Sequence, residues 1–133
     1  MIVIVDANIL FSALITPEGK LAKLLSHPAL PCKLISCHFL TTELLNHQEK
    51  ITRYAKRSAD DVTKDMQFFF RHIILYDETF IQLHHWLEAE KLTSGIDNFD
   101  IPYVALALQT GGWLWTGDKN LPYILKQWVL RIF

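Results

Sequence analysis

The chain opens on four β-branched apolar residues in a row, Ile2, Val3, Ile4 and Val5, and Asp6 ends the run. A strand with one wet face alternates apolar and polar side chains; an unbroken run is how a strand covered on both faces reads. Such a strand belongs inside a parallel sheet with helices above and below it. An acid at its end then stands where open α/β sheets bind ligands, outside the carboxyl ends of the strands.

The rest of the pattern fits that frame. Residues 34–36 form a weaker strand candidate after the turn-like stretch around Pro28 and Pro31. One helix is predicted from about residues 40–42 to Lys56, capped by Thr41 or Thr42. Ser58, followed by Asp60 and Asp61, marks a second helix start that runs to about Phe70, and residues 73–76 make a short strand. Asp77 and Glu78 favour a helix N-terminus by charge, and Phe80, Leu83, Leu87 and Leu92 follow at roughly helical spacing. Residues 93–98 read as a loop. Asp100 caps a further helix whose Pro102 suits a first turn. That helix is apolar nearly all round, so it should be well buried. Gly111 and Gly112 stop it, residues 113–115 form a strand, and Thr116-Gly117-Asp118 lies at that strand's end. A short helix over 119–126 and a last strand over 128–132 complete the reading. Alternating strands and helices imply an α/β fold in one domain over residues 1–133, a three-layer α/β/α sandwich around a central parallel sheet.

Composition narrows the function classes. A length of 133 residues suits one domain and is short for two. No window reaches the roughly 18 consecutive apolar residues of a membrane span. The N-terminus lacks the basic segment and small-residue cleavage site of a secretory signal, so a cytoplasmic protein without membrane contact is expected. Cys32 and Cys37 are too few for a disulfide framework, and no second pair joins Cys37 and His38 in a zinc site. Buried, reduced thiols are the expectation. The net charge is −1, from 13 basic and 14 acidic residues. That balance argues against a module that grips phosphates by its own charge. It suits an enzyme whose bound cations supply the positive charge.

Four acids fall at matching places in the predicted topology. Asp6 ends the first strand, and Asp118 follows the strand after Gly112. Glu43 lies in the first turn of the helix after Ser36, and Asp100 opens the helix that feeds the strand at 113–115. Each also has a purely structural explanation: a solvated strand end, a residue favourable to a helix dipole, a cap, a turn. Together they would crowd one crevice, where like charges are costly unless a cation neutralises them. Oxygen-only ligands suit hard ions such as Mg²⁺ or Mn²⁺. Such ions support in-line displacement at phosphorus.

These residues in this order resemble the PIN-domain family, metal-dependent ribonucleases that include VapC-like toxins of bacterial toxin–antitoxin pairs. Val5-Asp6-Ala7-Asn8-Ile9-Leu10 is similar to the family's first acidic motif, and Thr42-Glu43-Leu44 to its second. Residues 97–102 followed by Ala105-Leu106-Ala107 resemble the third, and Thr116-Gly117-Asp118-Lys119-Asn120-Leu121 the fourth. No single motif is specific; the order and spacing of all of them carry the likeness. The resemblance implies a ribonuclease in which Asp6, Glu43 and Asp100 hold one divalent ion, with Asp97 and Asp118 completing that site or a second. Asn8 and Thr116 would orient carboxylates and water from behind. It also implies an RNA substrate, a cognate antitoxin and a homodimer as partners.

Substrate contact is less legible. His47, Lys50, Tyr54 and Arg57 form one stripe at helical spacing, able to steer a phosphate backbone and stack a base. An ordinary solvated face has the same spacing. His84 and His85 face different ways on a helix, so one should pack and the other be exposed. Among Phe68, Phe69 and Phe70 at least one should be exposed. The tryptophans Trp86, Trp113, Trp115 and Trp128 read as core or interface. A phosphatase with Asp6 as nucleophile would want an acid two residues on, and position 8 is Asn. A catalytically degenerate domain that only binds RNA or protein stays as the alternative.

Overall fold

The computed structural model describes residues 1–94 and 101–117. β1 (Ile2–Val5) leads into α1 (Ala7–Ile15) and α2 (Lys20–Leu25), then β2 (Lys33–Cys37). Three helices follow, α3 (Phe39–Asn46), α4 (Gln48–Ala55) and α5 (Ala59–Arg71), before β3 (Ile74–Tyr76). A 3₁₀ turn (Glu78–Phe80), α6 (Leu83–Leu92), α7 (Ile101–Thr110) and β4 (Trp113–Trp115) complete the described chain.

The strands form one sheet in the order β3-β2-β1-β4, every pairing parallel. β1 is therefore interior, with Val3 opposite both Leu34 and Trp113. Val3, Ile4 and Val5 are fully buried, as the unbroken apolar run requires. From β1 the chain winds outward to β2 and β3, then returns across the sheet to β4 on the other side of β1. With right-handed crossovers, the outward and returning connections cover opposite faces. α1 packs on α2, α3, α4 and α5, while α7 packs on α6 and against β1, β2 and β4. This is the three-layer α/β/α arrangement.

Gly112 lets β4 approach β1. A Cβ there would collide with the side chains of Ile4 and Ile2 and lie 3.1 Å from the Ile2 carbonyl. Gly111 before it has φ 69°, a left-handed turn that ends α7 at no steric cost.

The local readings diverge from the sequence analysis at four places. The sequence reading has no element between Asp6 and the turn around Pro28, where α1 and α2 stand. Ile9, Leu10, Ala13 and Leu14 are the buried stripe of α1, at helical spacing. The single helix to Lys56 is two, broken at His47, whose backbone (φ −109°, ψ 13°) leaves the helical region. Neither Thr41 nor Thr42 caps α3, which starts at Phe39; the Phe39 N–H donates instead to Glu78 Oε1 at 3.1 Å, a remote acid serving as cap. That start puts Glu43 one turn deeper than expected. Finally, Asp77 caps only the 3₁₀ turn. α6 begins only at Leu83; Phe80, Leu83 and Leu87 are exposed, and Ile81 and Ala89 are the buried residues here. The readings at residues 119–126 and 128–132 lie outside the described residues.

Candidate functional site

The reversal of strand order falls between β1 and β4, and ligands of open α/β sheets bind at that point. Asp6 stands at the end of β1 and Thr116 at the end of β4. Asp6 is 4% exposed, so its carboxylate needs partners in place of water. Its Oδ1 accepts from the Asn8 backbone N–H at 2.5 Å, which caps α1. Its Oδ2 accepts from the Thr116 hydroxyl at 2.6 Å. A plain N-cap uses one oxygen and faces water; this one is buried and clamped from a second strand. The bond from Asn8 to Asp6 is made by its backbone, and the residue is exposed.

Glu43 comes from α3 and is half-buried. Its Oε1 accepts from the hydroxyl of Tyr103, a buried residue in the first turn of α7. Tyr103 is held far above the ordinary phenol range. Burial does most of this, followed by the hydrogen bond to Glu43 and the charges of Glu43, Cys37 and Asp6. One hydroxyl thus senses both carboxylates, which puts Asp6 and Glu43 in one electrostatic neighbourhood. It also fixes the start of α7 at this edge of the sheet. Ser36 braces the edge from below, its hydroxyl donating to the Val5 carbonyl at 2.7 Å inside the core.

Asp97, Asp100 and Asp118 lie outside the described residues. Among the described residues no group of three or more His, Cys, Asp or Glu side chains is close enough to hold a metal ion. The described donors are carboxylate oxygens, which fit a hard cation rather than zinc or copper. Both cysteines are free thiols; Cys37 is buried, whereas Cys32, expected to be buried too, is half-buried. Cys37 is fully buried, and burial, then the charge of Glu78, pushes its thiol up to about 12.

The stripe proposed for substrate is divided. Asn8, Phe11, Ile15, His47, Lys50, Ile51 and Tyr54 line a cleft of about 280 Å³ between α1 and α4. Arg57 does not line it; its Nη1 pairs with Asp65 Oδ2 at 2.7 Å. His84 is exposed and His85 half-buried, with their rings 4.0 Å apart. Phe68 is the exposed member of its triplet.

Sequence reasoning passed over Tyr103 and Ser36, and gave Glu78 to the start of the helix that follows it rather than to the start of α3. For Tyr103 a signal existed: a phenol in the first turn of an otherwise apolar, buried helix needs a polar partner. Ser36 and Glu78 act through contacts that only the fold creates.

A family profile described as PIN domain matches residues 4–132. The chain belongs to the PIN-domain family. Among solved structures, this PIN domain is similar to one described as VapBC2 from Rickettsia felis bound to a DNA fragment from their promoter. The TM-score is 0.68, with 18% identity over 92% of this chain and 94% of that one. At that identity the likeness establishes a shared fold. No curated protein matches the chain. No helix among the described residues is long and apolar enough to cross a membrane.

Proposed function

We propose that this PIN domain is a divalent-metal-dependent endoribonuclease that hydrolyses RNA phosphodiester bonds, and that it is the toxin of a toxin–antitoxin pair. The observation that carries the reading is the buried Asp6 carboxylate at the β1/β4 reversal, gripped by the Asn8 amide and the Thr116 hydroxyl. A structural cap has no need of burial and a second strand's hydroxyl. Asp6, Glu43 and Asp100 would hold the ion, Mg²⁺ or Mn²⁺, with Asp97 and Asp118 completing that site or a second. When bound, such an ion lowers the pKa of a coordinated water and offsets charge at phosphorus.

The chain's own part is positional. Thr116 and the Asn8 amide fix the rotation of the Asp6 carboxylate, so its oxygens do not reorganise when charge develops. Tyr103 does the same for Glu43. The chain is near neutral overall, so affinity for RNA depends on the ion as well as on local cations such as Lys50. A cognate antitoxin covering this edge, a homodimer and a cytoplasmic location belong to the same proposal. The pairing in the VapBC2 complex supports the first of these.

The test is Asp6→Asn, which removes one charge and keeps the shape. Single-stranded RNA cleavage by the parent should require Mg²⁺ or Mn²⁺ and stop with a chelator. The variant should show no cleavage, bind Mn²⁺ at least about tenfold more weakly by calorimetry, and retain the parent's circular dichroism. A purified, folded variant that cleaves as well as the parent overturns the assignment.

A further inference from the structure

The cleft between α1 and α4 lies beside the site: its lining reaches the Asp6 carboxylate through one backbone amide and the Glu43 main chain through one ring nitrogen. Asn8, at one end, gives its backbone N–H to Asp6. His47, in its wall, has Nδ1 2.8 Å from the Glu43 carbonyl oxygen. A larger cleft of about 660 Å³, lined by Leu45, Gln48, Arg53 and neighbours, includes neither Asn8 nor His47 in its lining.

The lining of the smaller cleft is sorted by chemistry. Ile51 is buried and Phe11 and Ile15 half-buried, which makes an apolar floor. Asn8, His47, Lys50 and Tyr54 are exposed around it. The Phe11 and His47 rings lie 5.4 Å apart at 59°, a tilted pair closing one side. On the other side Tyr54 is 58% exposed, with Lys50 Nζ 5.9 Å from its ring centroid. An aromatic side chain left this exposed beside a cation suits a flat ring attached to an anion. The volume, about 280 Å³, takes one such ring system, whereas an α-helix about 10 Å across can only lie over the opening.

We infer that this cleft is a nucleobase subsite: one unpaired base of the RNA strand stacks on Tyr54 over the apolar floor, and Lys50 meets that nucleotide's phosphate. The inference rests on the nuclease reading for its ligand, single-stranded RNA. Stacking is indifferent to base identity, so the subsite would add affinity and set register along the strand rather than read sequence. Arg57, paired with Asp65, has no part in it.

The test measures binding in the Asp6→Asn background, so that cleavage is not the readout. The probe is a fluorescein-labelled single-stranded RNA octamer, followed by anisotropy. Tyr54→Ala should weaken binding about tenfold, and Tyr54→Phe should restore it. An abasic nucleotide walked along the octamer should cause a similar loss at one position and no added loss in Tyr54→Ala. Arg57→Ala should bind like its background. If Tyr54→Ala binds the octamer as tightly as Tyr54 does, or the abasic loss adds fully to it, the subsite is refuted. The same holds if Tyr54→Ala loses only affinity for an apolar helical peptide, which would make the cleft a protein-docking surface. Cleavage by the parent with unchanged Tyr54→Ala binding removes the subsite and leaves the nuclease. Tyr54-dependent binding by a parent that cuts no RNA does the reverse.

Discussion

Asp6 and Glu43 reach the same edge of the sheet by different routes. Asp6 hangs from an interior strand by a short side chain, with one oxygen on its own helix's amide and the other on a hydroxyl from the neighbouring strand. Glu43 reaches out of a helix on a longer side chain, and a tyrosine from across the sheet holds it. The first is set by backbone that the core already fixes. The second depends on two helices keeping their distance. The ion proposed for this site would meet one rigid oxygen donor and one able to adjust to its radius.

Thr116→Val tests the rigid side most sharply. Loss of the hydroxyl should cut RNA cleavage about 10–100-fold, with thermal stability little changed and Thr116→Ser restoring activity. Tyr103→Phe should cost less, about tenfold, because Glu43 keeps its place on α3 and loses only its orientation. The loss should shrink when Mn²⁺ replaces Mg²⁺, which is stricter in its geometry. Steady-state kinetics on a labelled RNA would show both effects. A larger loss from Tyr103→Phe than from Thr116→Val would reverse the comparison and make Glu43 the stricter ligand.

Gly112→Ala acts on the scaffold under Asp6 alone. Forcing β4 off β1 should lower stability by about 1–3 kcal/mol in urea denaturation, and should weaken the Asp6–Thr116 side before the Glu43–Tyr103 side. The smallest effect concerns Cys37, at the end of β2 beside α3. Its thiol is raised from 9.0 to about 12 in the fold, by burial and then by Glu78. Below about 9 the thiol is neutral in both states and the fold keeps the full benefit. Above that the unfolded chain ionises first, so stability falls as pH rises towards about 12. Thermal melts across that window should show a shallower fall for Cys37→Ala than for the parent.

What the sequence made legible follows the same division. Strand ends could be read because burial on both faces leaves an unbroken apolar run, and an acid after it has one topological place. The Ser58 cap and the Gly111-Gly112 stop were equally local: Ser58 accepts from the Asp61 N–H, and α7 ends at Thr110. The helical side was harder. No proline or glycine marks the break at His47, which arises where α4 turns to pack on α1 and α5. The cap that α3 lacks locally is supplied by Glu78, 39 residues away, and no local pattern announces such a partner. The expected carboxylates divide too. Asp6 and Glu43 stand at one edge, while Asp97, Asp100 and Asp118 lie outside the described residues.

The hydroxyl on Asp6 arrives from 110 residues further along the chain. The acid is therefore made well before its clamp. A product ending before β4 holds a carboxylate without its threonine clamp and half a crevice. The order of strands thereby makes the clamped carboxylate depend on β4 being in place.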